Sequence, residues 1–151
     1  MSKPLIYLAG PISGLKYGVA ADWRDDVATQ HEHSFNFASP LRAKEFLDTG
    51  EVLDHTNIVY DNVLSSPHGV MTRDSWDVHR CDCVFANLLG AERVSIGTVM
   101  ELAWAWKAGT PSIIIMEPDN IHNHVMLRQA SPFYTETVDE GIDMLYALFS
   151  K

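Results

Sequence analysis

Cys83-Val-Phe-Ala-Asn-Leu-Leu89 and, shortly after it, Ser95-Ile-Gly-Thr-Val-Met-Glu101 decide how this chain reads. The first is a short apolar run closed by turn residues, the form of a strand buried on both faces. The second opens a helix behind it, with a glycine that permits a tight turn and a carboxylate, Glu101, one turn in. Open α/β sheets collect ligands at the carboxyl ends of their strands, where the first N–H groups of the next helix receive anionic or hydroxyl-bearing groups. Ser95 and Gly97 are therefore candidate ligand contacts, and Glu101 is expected to project into the crevice. A second carboxylate, Asp74, precedes the same strand on its own predicted helix. With the opening run Leu5-Ile-Tyr-Leu-Ala-Gly-Pro-Ile12, these segments point to one site assembled from three parts of the chain.

Outward from that centre, apolar runs alternate with helical patterns. Strands are expected at 5–9, 35–40, 83–89 and 112–116, with a short edge strand at 134–138. Helices are expected at 17–31, 71–82, 96–108 and 138–149, and a brief one at 41–47. In the first helix Val19, Ala20, Trp23, Val27 and Ala28 recur at the spacing of one face, and Ile142, Leu145, Tyr146 and Leu148 do so in the last. Residues 48–68 are polar and punctuated by Gly50 and Ser65-Ser66-Pro67, which predicts a long loop. The pattern predicts an α/β fold: a single-domain, Rossmann-like (flavodoxin-like) parallel sheet of about five strands with helices on both faces, occupying residues 1–151.

Composition narrows the function. Eleven Lys plus Arg against 20 Asp plus Glu give a formal charge of −9, which repels a polyanion and argues against a nucleic acid polymer or an anionic membrane as partner. No window approaches the ~20 apolar residues of a membrane span, and no basic segment followed by an apolar run opens the chain, so a cytoplasmic location is expected. Cys81 and Cys83 lie where alternate side chains point to opposite faces, and read as reduced and structural. His31-Glu-His33 and His122-Asn-His124 fall in polar segments without metal-ligand spacing, so no metal and no cofactor are expected.

Each candidate also has a plain structural reading. Thr98-Val-Met-Glu101 fits a capping box, in which the glutamate serves the helix start. Asp74 or Ser75 fits a helix cap, with Asp77 one turn on as an exposed alternative. Tyr7 fits a core ring. Gly10-Pro11 fits a plain turn, and the Gly10 to Gly14 segment matches neither a Walker A loop nor the full dinucleotide fingerprint.

Taken jointly, Ile6-Tyr-Leu-Ala-Gly-Pro-Ile12, Arg73-Asp-Ser-Trp-Asp-Val-His-Arg-Cys-Asp82 and Gly97-Thr-Val-Met-Glu-Leu-Ala103 resemble the nucleoside 2-deoxyribosyltransferase family in order and spacing. The resemblance spans about residues 4–117 and is sharp in those three blocks. It implies Glu101 as the nucleophile, Tyr7 as the residue that orients it, and Asp74 as the group that assists proton transfer to the base. Residues 10–13, with Gly10, Pro11, Ile12 and Ser13, together with Lys16, then border the substrate. Cleaving an N-glycosidic bond leaves positive charge on the anomeric carbon and negative charge on the base, so one ionised carboxylate and one proton donor suit the task.

At Ser95 the family's free-nucleoside transferases commonly carry an aspartate that holds a sugar hydroxyl. A serine can donate to a 5′-phosphate that an aspartate would repel, and in this respect the chain is closer to the family's nucleoside 5′-monophosphate N-glycosidases. Met126-Leu-Arg-Gln-Ala130 is similar to theirs too, in a segment that in the family reaches the neighbouring subunit's site. That implies a homodimer with shared active sites and puts His124 and Met126 beside the substrate. Ser13 stands where those glycosidases have an arginine. The partner implied is a small-molecule nucleoside or nucleotide; the reaction is base release from a monophosphate, with base exchange on free deoxynucleosides or ligand binding without turnover as alternatives.

Overall fold

A computed structural model describes residues 2–54 and 62–151. Its five strands, β1 (Leu5–Ala9), β2 (Asn36–Ala38), β3 (Cys83–Asn87), β4 (Ser112–Ile115) and β5 (Phe133–Thr135), form one parallel sheet in the order β2-β1-β3-β4-β5. Among the described residues five α-helices accompany them: α1 (Tyr17–His31), α2 (Pro67–Arg80), α3 (Ile96–Ala108), α4 (Val125–Ala130) and α5 (Val138–Leu148). This is the flavodoxin-like arrangement expected from the alternation, and its strand order reverses between β1 and β3, where such sheets open a crevice.

Period-two alternation sorts the core onto two faces. Tyr7 and Ala9 of β1 join Val84 and Ala86 of β3 against Val78, Leu102, Ala105 and Leu127 of α2, α3 and α4. Ile6 and Leu8 join Cys83, Phe85, Ile113 and Ile115 against Val27 of α1 and Ile142 and Leu145 of α5. Cys81 and Cys83 are free, buried and on opposite faces, because Cys81 is the C-cap of α2 and only Cys83 belongs to β3, within which residues two apart would share a face. Among the described residues, no helix is long and apolar enough to cross a membrane.

Several elements differ from expectation, each for a local reason. Helix α2 starts at Pro67, several residues before the expected 71, because the Ser66 side chain accepts from Gly69 N–H and proline takes the first turn, where no N–H is needed. The expected loop at 48–68 is thereby shortened; its residues 55–61 lie outside the described residues. The helix expected at 41–47 is reduced to a 3-10 turn, Glu45–Leu47, because Ala43 with φ 58° breaks helical geometry just before it. In α1 the buried face holds Ala20, Ala21, Arg24 and Val27, while Val19 is 62% exposed. On that face Arg24 donates to the buried carbonyls of Leu8 and Gly10.

Candidate active site

Tyr7 sits in the middle of β1 with its ring fully buried, and its hydroxyl donates to Glu101 Oε1 at 2.7 Å. The bond joins β1 to α3 across the point where the strand order reverses. Glu101 does not take the capping role that Thr98-Val-Met-Glu101 allows. Ser95 is the cap of α3: its Oγ accepts from Thr98 N–H at 3.4 Å and lies 2.9 Å from Thr98 Oγ1. Glu101 is 6% exposed, and burial raises its pKa to about 8, helped by the charge of Asp74 and opposed by the Tyr7 bond and the Arg24 guanidinium. The Tyr7 hydroxyl is itself held protonated well above its usual range, by burial first and then by the charges of Glu101 and Asp74.

Asp74 is no helix cap either. It lies inside α2, 8% exposed, with Oδ1 buried and without a hydrogen-bond partner. Burial raises its pKa to about 6 against the lowering influence of Lys44 and Arg73. Asp77, expected as an exposed alternative, is fully buried: Arg42 Nη1 reaches its Oδ2 at 2.5 Å and Arg80 Nη2 its Oδ1 at 2.8 Å. The two carboxylates of α2 are thus divided, Asp77 closed off in ion pairs and Asp74 left with an open valence.

The segment after β1 closes one side of the crevice. Gly10 is required by close approach, since a Cβ there would stand 2.6 Å from Asn87 O at the end of β3. Behind it Arg24, fully buried, donates to Leu8 O at 3.0 Å, to Gly10 O at 2.9 Å and to Ala20 O. Pro11, Ile12 and Ser13 follow, and the Lys16 backbone bridges to Val52. Gly14 has φ 87°, and the volume of its missing side chain is taken by the Arg93 guanidinium, which donates to Ser13 Oγ at 3.4 Å. A cation from the β3–α3 loop therefore reaches Ser13.

That loop is anchored by His122. Though it lies in a polar segment of the sequence, it is 2% exposed: Nε2 accepts from Ser95 N–H at 2.8 Å, while Nδ1 lies 2.9 Å from Asn120 Oδ1 and so carries the proton. Asn120 in turn donates to Leu88 O at 2.7 Å. Gly97 lies in the exposed first turn of α3. His124 caps α4 by accepting from Met126 N–H at 3.2 Å, and Met126 is 72% exposed; neither hydrogen-bonds to Tyr7, Asp74 or Glu101 within the protomer. Among the described residues, no group of three or more His, Cys, Asp or Glu side chains is placed to hold a metal. Arg24, Lys44, Arg93 and His122 escape a reading based on motifs. The sole sequence signal for Arg24 is a charge on the apolar stripe of its helix.

No family model and no curated protein matches the chain by sequence. Solved structures do match. A 2-deoxyribosyltransferase from the psychrotolerant bacterium Bacillus psychrosaccharolyticus superposes with a TM-score of 0.64 at 18% identity over 90% of this chain and 88% of that one. The CMP N-glycosidase of Clostridium botulinum gives 0.57 at 17% identity over 96% and 99%. The molybdenum cofactor binding protein of the phototrophic bacterium Rippkaea orientalis gives 0.63 at 17% identity over 99% of each chain. This chain therefore shares its fold with a 2-deoxyribosyltransferase, a CMP N-glycosidase and a cofactor-binding protein.

Proposed function

We propose that the protein belongs to the nucleoside 2-deoxyribosyltransferase family and is an N-glycosidase that releases the base from a nucleoside 5′-monophosphate, with a 2′-deoxynucleotide as the favoured substrate. The observation that carries this reading is the buried hydrogen bond from Tyr7 to Glu101, with Asp74 close enough to raise the proton affinity of Glu101. A fold shared with a binding protein does not select a chemistry. Two buried carboxylates with raised pKa values, one of them oriented by a tyrosine, do favour one.

The two carboxyls share one proton, which burial favours on Glu101 at rest and which in the reacting form lies on Asp74; Glu101, then ionised, attacks the anomeric carbon and forms an ester as the bond to the base breaks. The bonding electron pair leaves with the base, and the Asp74 carboxyl supplies its proton. Water then attacks the ester, gives a proton back to Asp74 and frees Glu101, as in a retaining glycosidase. The Tyr7 hydroxyl holds Glu101 Oε1 in place and favours its ionised form.

The phosphate reading draws on Arg93. The serine at position 13 lacks the charge that the resembling glycosidases place there, and the Arg93 guanidinium stands against it from the other side of the crevice. Ser95 Oγ accepts from Thr98 N–H and lies 2.9 Å from Thr98 Oγ1; with the threonine hydroxyl as donor in that pair, the Ser95 hydrogen serves a phosphate oxygen. Lys16 and the N–H groups around Gly97 complete a set of donors suited to an anion. His124 and Met126 belong to the same reading as contributions to the neighbouring subunit's site in a cytoplasmic homodimer.

The test is a chromatographic screen of the purified protein against pooled nucleosides and nucleoside 5′-monophosphates, with and without a competing base, and with Glu101→Ala as control. Base release from monophosphates alone, lost in the variant, is expected. Base exchange on free nucleosides would make the protein a transferase. Silence across the pool would favour ligand binding without turnover, and full activity of Glu101→Ala would exclude the glycosyl-enzyme.

A further inference from the structure

The turn between β2 and α2 carries a buried cation that the reaction above does not use. Lys44 is 4% exposed, and among the described residues its ammonium makes no hydrogen bond or ion pair. It follows Ala43, whose φ of 58° is a left-handed conformation that an alanine adopts only at a cost. Such strain persists where surrounding contacts enforce it. Here Arg73 donates to Arg42 O at 3.0 Å and to Pro40 O at 2.7 Å, while Arg42 pairs with Asp77, so α2 clasps the turn from both sides.

The clasp ties the turn to α2 at Arg73, one residue from Asp74, and the Lys44 charge lowers the proton affinity of Asp74 more than any other cation does. The two nevertheless form no salt bridge. A buried lysine residue without an acceptor among the described residues therefore accompanies a buried carboxyl whose Oδ1 has no partner. A buried carboxyl oxygen left unpaired is costly, and a molecule that exchanges a proton with it while accepting from the Lys44 ammonium recovers the cost.

We propose that Lys44 is a base-recognition residue, which donates to a carbonyl oxygen of the departing nucleobase beside Asp74 and so selects oxo-bases as substrates. This assignment rests on the N-glycosidase reading and deepens it. When the glycosidic bond breaks, the electron pair that leaves with the base delocalises onto a conjugated carbonyl oxygen. A fixed cation at that oxygen stabilises the developing charge, while the Asp74 proton goes to the base. Adenine, which has no carbonyl, offers Lys44 no such oxygen.

The experiment is calorimetric binding of two matched pairs of free bases, cytosine with 4-aminopyrimidine and hypoxanthine with purine, each differing by one carbonyl oxygen. The proteins are wild type, Lys44→Met and Lys44→Arg, with thermal melts to verify that the variants are folded. Wild type is expected to prefer the oxo member of at least one pair by roughly 10-fold or more, the worth of a charge-assisted hydrogen bond. Lys44→Met should abolish the preference and Lys44→Arg should retain it. Equal weakening of both members by Lys44→Met, or a wild type that binds both alike or neither, would overturn the assignment. Because binding needs no turnover, an oxo-selective protein that releases no base would sink the glycosidase reading alone. A base-releasing protein whose preference survives Lys44→Met would sink the role of Lys44 alone.

Discussion

Glu101 is a carboxyl group that the fold makes costly to ionise, and the cost has a measurable sign. Its pKa rises from an ordinary 4.5 to about 8 on folding, chiefly through burial. A raised folded-state value means that the native protein binds this proton more tightly than the unfolded chain does. The stabilisation is complete below pH 4.5 and is lost progressively as pH rises to about 8. Glu101→Gln, which keeps the shape and cannot ionise, is therefore expected to melt higher than wild type, by roughly 2–4 °C for each kcal/mol recovered. The gain should be absent near pH 4 and grow towards pH 8. Differential scanning calorimetry across that range checks it, and a variant less stable than wild type at pH 8 would contradict the assigned cost. Stability sacrificed at a site is what functional carboxylates commonly show.

At the scale of elements, the α1–β1 lock is the part that motif reading misses. Strand β1 is legible because its apolar run is short and bounded by Gly10-Pro11, and α1 because its apolar residues recur at helical spacing. Periodicity places a charged residue on the solvent side by default, so it cannot foresee that Arg24 turns inward to serve Leu8 O and Gly10 O. Arg24→Met is expected to leave those buried carbonyls unpaired and to cost roughly 3 kcal/mol. The reading would be a lower urea midpoint with unchanged slope. Arg24→Lys should fail to restore it, because an ammonium on a shorter stem does not reproduce the fork that spans the carbonyls. The start of α2 illustrates a different limit. Ser66-Pro67 is an adequate helix-start signal, yet next to Gly69 and a polar tract it reads equally well as loop, and the choice depends on Ser66 Oγ finding Gly69 N–H.

At the scale of the whole molecule, apolar side chains remain on one region of the surface. Ile96 is 70% and Met100 36% exposed on α3, and Val125 is 66% and Met126 72% exposed on α4, which packs against α3. With the proposed sharing of His124 and Met126 between subunits, this surface is expected to be the dimer face. Sedimentation velocity should find a dimer, and Met126→Asp should shift it to monomer and lower base release together. A wild type that is monomeric while fully active would contradict the shared site.

What the sequence by itself determines here is most of the alternation of strands and helices and the parallel sheet, because apolar periodicity and turn residues are local properties, while the proposed roles of Tyr7, Asp74 and Glu101 enter through the resemblance of their motifs in order and spacing. Only the tertiary structure decides which carboxylates are open. Asp74 and Asp77 sit one turn apart on the same helix, and nothing nearby in the chain distinguishes them. Arg42, arriving from the turn after β2, closes Asp77, while Lys44 comes beside Asp74 without pairing with it. In the same way Arg93 reaches Ser13 and His122 holds Ser95 only because the sheet brings together loops distant in the chain. Charge pairing between remote segments depends on where the backbone carries each group, and no periodicity encodes that.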